Sequence, residues 1–222
     1  MTAIAPPDRD NGPVTMAGWD DAYARGVPAP WDIGQPQPAF VRLAERGLLT
    51  GQVLDAGCGT GEQTLLAASS GADALGVDVS PLAIERARSK AAARGIKARF
   101  EVADALRLAD LGRNFDTIID SGLFHVFDDD SRARYVASLA SVLRPGGRLY
   151  LMCFSDRQPG TVGPRRVRQD ELRATFTGGA LTGGDLSGGW TVIAIEADAF
   201  EVNPGFFATT TAQAWLATVS RG

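Results

Sequence analysis

The stretch that most constrains the fold of this chain is residues 53–62, V-L-D-A-G-C-G-T-G-E. Its apolar start predicts the end of a buried strand, and its alternating glycines allow the backbone to turn sharply and lie close to a ligand. A helix is predicted from about Glu62, with Thr60 as its cap. Open α/β sheets bind nucleotides where a strand runs into such a turn and a helix, so the stretch predicts a nucleotide site.

The glycine spacing argues against two common phosphate-binding motifs. Gly57, Gly59 and Gly61 follow the pattern G-x-G-x-G, whereas the dinucleotide fingerprint is G-x-G-x-x-G and a P-loop needs a lysine after its last glycine. Glu62 should also repel a pyrophosphate at the helix start, because both groups are negative. An acidic turn without phosphate favours a nucleoside that carries positive charge, and S-adenosylmethionine (SAM) is such a nucleoside.

The sequence D-A-G-C-G-T-G-E at residues 55–62 resembles motif I of the class I SAM-dependent methyltransferases. The resemblance covers about residues 28–222 and is strongest between 53 and 153. It implies a Rossmann-like α/β fold with helices on both faces of a mainly parallel, seven-stranded sheet of order 3-2-1-4-5-7-6. It also implies SAM as the cofactor and S-adenosylhomocysteine as the product, with no metal. Spacing alone predicts only a mainly parallel sheet flanked by helices.

Length and charge narrow the class of protein further. The chain has 222 residues, a net charge of −4 and a pI of about 5.1, which argues against nucleic acid as a partner. No apolar run approaches the ~20 residues of a membrane span, and no signal peptide or cysteine framework is visible. We therefore expect a cytoplasmic protein without a membrane partner, as a monomer or weak dimer. Residues 1–13 are predicted to be a disordered tail. Residues 14–222 are predicted to form a single domain whose segment 14–36 is a lid.

The predicted second strand ends at Asp78, which lies 78 − 55 = 23 residues after Asp55. A carboxylate about 20 residues past the glycine turn is placed to accept hydrogen bonds from ribose hydroxyls. The alternative role for Asp78 is to cap the next helix. Ser80 followed by Pro81 is the better cap, which leaves Asp78 for the ribose.

The ends of the predicted third and fourth strands supply further candidates. The resemblance implies that Asp104 and Ala105 receive the adenine, although Asp104 can instead cap a helix. The fourth strand should lie beside the first, so that Asp120 and Ser121 face the transferable methyl group. Asp120 is expected to fix the loop or to attract the sulfonium. The predicted cofactor-binding residues are Trp31, Asp55, Gly57, Cys58, Gly59, Thr60, Asp78, Val79, Ser80, Asp104, Ala105, Asp120 and Ser121.

His125, the single histidine of the chain, is the candidate catalytic residue. The sequence I-D-S-G-L-F-H-V-F around it resembles thiopurine-methyltransferase-like and mycobacterial-type heterocycle methyltransferases. The segment around Trp31 resembles thiopurine-methyltransferase-like enzymes and other small-molecule methyltransferases. A histidine with a pKa near neutrality can take a proton from a phenol, a hydroxyl or a ring N–H as the methyl arrives. The alternative is that His125 only orients an acceptor that ionises without help.

Aromatic and apolar residues around the predicted site favour a flat, hydrophobic small molecule. The predicted substrate-binding residues are Trp19, Tyr23, Phe124, His125, Arg165 and Phe207. Arg165 and Arg166 are expected either to bind a polar edge of the substrate or to stay solvated. The predicted function is SAM-dependent methylation of O or N, with S as a further option, in a phenol, quinolone-type toxin or xenobiotic, as in detoxification. The alternatives are a quinone or natural-product biosynthetic methyltransferase and a non-catalytic SAM-binding regulatory protein.

Overall fold

The computed structural model of the protein describes residues 16–24, 27–177 and 189–222. The predicted disordered tail, residues 1–13, lies outside these ranges. Seven strands are present in the described residues: β1 (Gln52–Ala56), β2 (Asp73–Asp78), β3 (Arg99–Val102), β4 (Phe115–Ser121), β5 (Leu143–Phe154), β6 (Trp190–Glu201) and β7 (Thr211–Arg221). They form one sheet of order β3-β2-β1-β4-β5-β7-β6, which confirms the predicted order.

The first five strands of the sheet pair in parallel, and β7 pairs antiparallel with both β5 and β6. β6 and β7 therefore form an antiparallel hairpin at one end of the sheet. β5 includes the segment R-P-G-G at 144–147. The pairing register shifts between Phe115 and Thr117, whose partners are Leu143 and Arg148. The additional residues are accommodated as a bulge, in which Gly146 has a φ of 79°.

The helices in the described residues are α1 (Met16–Ala24), α2 (Pro38–Glu45), α3 (Glu62–Ser69), α4 (Pro81–Arg94), α5 (Asp129–Val142) and α6 (Gln169–Thr177). Two 3₁₀ helices, Ala105–Leu111 and Phe124–Val126, follow β3 and β4. Among the residues described, no helix is of the length and apolarity that a membrane crossing requires.

Helix boundaries follow local capping chemistry at α4. The hydroxyl of Ser80 accepts a hydrogen bond from the backbone N–H of Ala83 at 3.1 Å, as predicted, and Gly95 ends the helix in the left-handed region. The predicted cap of α3 is wrong. Gly61 occupies the cap position with a φ of 89° and no side-chain hydrogen bond, while Thr60 uses its hydroxyl elsewhere.

The core lies on both faces of the sheet because successive side chains of a strand point to opposite faces. Leu54 and Ile118 pack with α5 and α6 on one face, and Val53 and Ile119 pack with α2 and α3 on the other. With both faces covered by helices, the carboxyl ends of the parallel strands meet at one edge of the sheet. The glycine turn between β1 and α3 opens at that edge.

Candidate functional site

A cavity of about 900 Å³ lies at the carboxyl ends of the parallel strands. This volume is near the upper end for small-molecule sites, which suits a cofactor together with an acceptor. α1, residues 30–37 and the loop after β5 close its front. The predicted site residues that line it are Trp19, Tyr23, Trp31, Asp55, Gly57, Cys58, Gly59, Thr60, Asp78, Val79, Asp104, Ala105, Ser121, His125, Arg165 and Phe207.

The glycine turn passes beneath closely packed side chains. A Cβ added to Gly57 would lie 2.9 Å from the side chain of Leu123, and one added to Gly59 would lie 2.8 Å from the hydroxyl of Tyr23. Both glycines also have positive φ, 72° and 52°. A side chain at either position would be strained and would displace the residues that cover the turn.

Asp78 combines a structural role with a free face on the cavity. Its two oxygens accept hydrogen bonds from the backbone N–H groups of Gly59 and Ser80, at 2.8 and 2.9 Å. A carboxylate has about four acceptor positions, so room remains for two hydroxyl groups. Asp104 likewise caps the 3₁₀ helix, accepting from the N–H of Leu106 at 2.9 Å, and still lines the cavity.

Glu62 is not the source of the negative charge that was expected at the glycine turn. Its carboxylate accepts hydrogen bonds from Lys90 at 2.8 Å and from both terminal nitrogens of Arg94 at 2.8 and 2.9 Å. Burial alone would raise the pKa of Glu62, but these two cations hold it below its usual value. The argument that Glu62 repels a pyrophosphate is therefore wrong. Lys90 also donates to Thr60, whose hydroxyl donates to Asp32 at 2.6 Å.

Asp55 can become negatively charged when a cation binds beside it. It is 2% exposed, lines the cavity and accepts a hydrogen bond from the hydroxyl of Thr64 at 2.6 Å. Burial raises its pKa from 3.8 to about 7. A carboxyl group in this state ionises readily when a cation arrives beside it. The turn therefore fits a positively charged nucleoside through Asp55 and Asp78, not through Glu62.

Asp120 does not line the cavity, so its predicted place among the cofactor-binding residues does not fit the structure. Its oxygens accept hydrogen bonds from the N–H of Leu123 at 2.7 Å, the N–H of Phe124 at 3.0 Å and the hydroxyl of Tyr135 at 3.0 Å. It is fully buried, which raises its pKa to about 7. The carboxyl group holds the loop that carries His125, which is the other role that the sequence allowed.

Two further predictions need correction. Ser80 is fully buried as the cap of α4 and does not line the cavity, because its hydroxyl is hydrogen-bonded to Asp20. Phe124 is turned into the core, where its ring stacks on Phe176 at 6.3 Å beneath the guanidinium of Arg132 at 4.4 Å. Neither side chain is placed to touch a ligand.

His125 lies against the cavity with its ring 4.9 Å from that of Phe154 and 6.0 Å from that of Phe200. Its Nδ1 accepts a hydrogen bond from the backbone N–H of Phe154 at 3.0 Å. A nitrogen that accepts carries no proton, so the neutral imidazole holds its proton on Nε2. This tautomer opposes the predicted general-base role, because Nε2 must be unprotonated to receive a proton.

The described residues of the predicted lid make aromatic contacts at the front of the cavity. The indole N–H of Trp31 donates to the hydroxyl of Tyr23 at 3.1 Å, and the ring of Trp19 meets that of Trp31 edge to face at 5.6 Å. The lid is fastened to the turn between β6 and β7, where the amide of Asn203 donates to the carbonyls of Ala29 and Asp32 at 2.8 and 3.0 Å.

The side-chain amide of Gln37 makes a second tie to the same hairpin. It donates to the backbone carbonyl of Glu201 at 2.9 Å and accepts from the backbone N–H of Glu201 at 2.8 Å. The front of the cavity is therefore assembled from both ends of the chain.

Phe154 and Phe200 were missed at the sequence level. Phe154 ends β5, the neighbour of β4, and the rule that ligands bind at strand ends would have found it. Phe200 lies in the antiparallel part of the sheet, where that rule does not apply. Both line the cavity beside His125 and Phe207.

Arg165 lines the cavity, but its guanidinium is already paired. One terminal nitrogen donates to Asp129 and the other to Glu171, which also pairs with Arg132. Neither of the two predicted roles, a contact with the substrate or a solvated arginine, matches this arrangement. The ion pairs instead join the loop after β5 to α5 and α6.

Comparison with known proteins agrees with this fold. A family model described as a methyltransferase domain matches residues 53–147. The 2-heptyl-1-hydroxyquinolin-4(1H)-one methyltransferase of Mycobacteroides abscessus is 40% identical over 147 residues, which are 65% of each chain. Probable thiol methyltransferase 2 of Arabidopsis thaliana is 31% identical over 142 residues, 63% of this chain and 62% of the relative. The matches thus span slightly less than two thirds of these relatives.

A solved structure extends the likeness to nearly the whole chain. It was determined in work on the conversion of a disulfide bond into a thioacetal group during echinomycin biosynthesis. It is 37% identical and covers 93% of both chains with a TM-score of 0.81. The chain therefore belongs to the class I SAM-dependent methyltransferases, whose cofactor is SAM.

Proposed function

We propose that this protein transfers the methyl group of SAM to an O, N or S atom of a flat, apolar small molecule. The aromatic wall of the cavity carries this proposal. The rings of His125, Phe154, Phe200 and Phe207 form a chain of contacts with centroid distances of 4.9 to 6.0 Å. Such surfaces bind planar apolar ligands by stacking and edge contacts.

The cofactor half of the cavity suits SAM. We infer that Asp78 accepts hydrogen bonds from the ribose hydroxyls and that Asp104 and Ala105 contact the adenine. Asp55, with its raised pKa, is the group that ionises and balances the positive charge of the cofactor. When bound, SAM supplies a methyl group on a cationic sulfur, which is an activated carbon for in-line displacement. The protein contributes alignment and exclusion of water, which together can supply several kcal/mol.

The acceptor half suits a molecule that arrives as its own anion. His125 holds its proton on Nε2 while Nδ1 accepts from Phe154, so we infer that it positions the acceptor instead of deprotonating it. An anionic acceptor and a cationic donor neutralise each other in the transition state, which a dry, low-dielectric site favours. Acidic N-hydroxy heterocycles, phenols and thiols meet this requirement. The hydroxyquinolone and thiol named for the two relatives are of these kinds.

We further propose that the protein works in a reducing compartment such as the cytoplasm. Cys58 and Cys153 are both free thiols, and burial raises the pKa of each, which suits unoxidised cysteines. Light scattering of the purified chain checks the expected monomer or weak dimer.

The experiment is a methylation screen read by mass spectrometry. SAM and the protein are incubated with N-hydroxyquinolones, phenols, thiols, quinols and purines, with a boiled sample as the control. Calorimetric titration with SAM, S-adenosylhomocysteine and NAD accompanies the screen. The first two nucleosides should bind and NAD should not. Turnover of a xenobiotic or of a quinol distinguishes detoxification from biosynthesis. Tight SAM binding without turnover of any class would favour a regulatory protein and refute the proposal.

A further inference from the structure

The guanidinium of Arg166 is enclosed by the backbone of its own loop. This loop, the β5–α6 loop, comprises residues 155–168 and follows β5. Nη1 of Arg166 donates to the carbonyl of Pro164 at 2.6 Å, and Nη2 donates to those of Val162 and Gly160 at 2.8 and 3.2 Å. Nε donates to the carbonyl of Gln158 at 3.2 Å. One side chain therefore satisfies carbonyls along most of the loop.

These contacts use the geometry of an arginine in a way that another cation cannot reproduce. A guanidinium presents five N–H donors in a rigid plane, whereas an ammonium presents three donors at one point. Among the residues that the structure describes, no backbone N–H donates to these carbonyls, so the guanidinium of Arg166 is their hydrogen-bond partner. The guanidinium also lies 5.4 Å from the ring of Phe154, which links the loop to the aromatic wall.

The loop held in this way forms part of the wall of the acceptor site. Pro164 and Arg165 line the cavity. Gly163 lies so close to the wall that an added Cβ would be 3.3 Å from both Phe154 and Phe207, and its φ is 94°. The base of the loop is fixed separately, because the N–H of Val167 donates to the carbonyl of Phe154 at 2.9 Å. Above that base, the hydrogen bonds of Arg166 hold the backbone conformation of residues 158–164.

The guanidinium groups of Arg165 and Arg166 are already engaged within the protein. All three nitrogens of Arg166 donate to carbonyls, and both terminal nitrogens of Arg165 donate to carboxylates. Selection of the acceptor by this side of the cavity therefore depends on the position of the wall and not on an ion pair.

We propose that Arg166 is a positioning residue that sets the size and shape of the acceptor admitted to the site. It does so by fixing the backbone conformation of the β5–α6 loop, which positions Gly163 and Pro164 beside the aromatic wall. This inference rests on the proposed function. The cofactor half of the cavity lies on other elements, so Arg166 should affect the acceptor and leave SAM unaffected.

The test compares Arg166→Ala and Arg166→Lys with Arg168→Ala. Arg168 is a matched control because it is exposed and donates to Asp170 at 2.9 and 3.0 Å without lining the cavity. For an acceptor found in the screen, R166A should raise KM about tenfold, the effect of losing one or two net hydrogen bonds, while KM for SAM changes less than about twofold. R166K should fall between R166A and the wild type. Guanidinium ion at millimolar concentration should partly restore R166A, and R168A should behave as the wild type.

Gly163→Ala reaches the same wall without touching the guanidinium. Its Cβ would press on Phe154 and Phe207, so it should reproduce the acceptor defect without any response to guanidinium. This second variant keeps the proposal testable if R166A does not fold. Equal changes in KM for SAM and for the acceptor in R166K and G163A would overturn the proposal.

A readout that does not need turnover separates this proposal from the proposed function. Trypsin can cleave after Arg157 and Arg165, within the loop. R166A should be cleaved there about tenfold faster than the wild type, with unchanged affinity for SAM in calorimetric titration. Faster cleavage of R166A in a protein that methylates nothing would show that Arg166 holds the loop and would refute the proposed function. Unchanged cleavage and unchanged acceptor KM would refute the role of Arg166.

Discussion

The affinity for SAM should rise with pH, and Asp55 should be the cause. Burial raises the pKa of this carboxyl group to about 7 in the free protein, so the group is largely neutral in slightly acid solution. A cation bound beside it favours the ionised form and lowers that pKa. Binding therefore releases a proton, so SAM binds more tightly at a pH at which Asp55 is already ionised.

The size of the effect follows from this pKa. With a pKa of about 7 the carboxyl group is ionised in about a tenth of the molecules near pH 6 and in about nine tenths near pH 8. If the bound cofactor keeps Asp55 ionised throughout, the affinity should rise about tenfold over this interval, or by about 1.4 kcal/mol. Near pH 7, about half a proton should be released for each cofactor bound.

Calorimetric titration in two buffers of different ionisation enthalpy measures both quantities. Asp55→Asn is the matched variant, because its amide oxygen can still accept from Thr64 while the group cannot ionise. It should bind SAM with little pH dependence, apart from the ionisation of the cofactor itself. S-adenosylhomocysteine lacks the sulfonium charge and should show a smaller dependence with the wild type. The same pH dependence in D55N and the wild type, or an affinity that falls as pH rises, would refute the reasoning.

The raised pKa also affects the stability of the free protein. A folded-state pKa above the unfolded value stabilises the fold fully below the unfolded value, near 3.8, and this contribution is lost as pH rises to about 7. The loss is at most about 4 kcal/mol for Asp55. Urea denaturation of D55N should therefore show a smaller decline in the free energy of unfolding between about pH 5 and pH 7 than the wild type. An equal decline would contradict the assignment.

Three substitutions test the packing and contacts of the site. Gly61→Ala would place a Cβ 2.6 Å from an aromatic ring of β3 at a φ of 89°, so it should cost about 3 kcal/mol in thermal denaturation. Arg132→Ala should cost about 3 kcal/mol, because it removes a buried partner of Glu171. Trp31→Phe loses the donation to Tyr23 and should weaken SAM about fivefold in calorimetric titration.

Controls for these substitutions are present in the chain. Gly71 also has a positive φ, 94°, but an added Cβ would meet nothing within 4 Å, so Gly71→Ala isolates the backbone strain from the clash. Arg134 lies on the same helix as Arg132 and is exposed, so its replacement by Ala should leave the melting temperature almost unchanged. A G61A variant as stable as G71A would show that the predicted clash is relieved by movement.

The sequence predicted the elements whose chemistry is local. Strands ended and helices began where glycine, proline and serine set the backbone, as at Ser80 and Gly95 around α4. The sheet order came from the resemblance, since spacing alone gives no order. The rule that ligands bind at the carboxyl ends of parallel strands also predicted that Asp55, Asp78 and His125 share one site, and all three line the cavity.

The errors concern contacts between residues far apart in the chain. The charge of Glu62 is neutralised by Lys90 and Arg94, which lie 28 and 32 residues away. Phe124 points into the core, where its ring packs against Arg132 and Phe176. The residues next to Phe124 in the sequence do not indicate this orientation. Side-chain orientation and ion-pair partners depend on the tertiary structure, so a local pattern does not predict them.

The bonds from Asn203 and Gln37 bear on how this protein is made in the cell. Translation proceeds from the amino terminus, so the lid and the glycine turn leave the ribosome well before β6 and β7 exist. The partners of Asn203 and Gln37 can form their hydrogen bonds only after the β6–β7 hairpin has emerged. A chain without β6 and β7 therefore has the glycine turn without a closed front, so we expect the cavity to close only after the hairpin has been made.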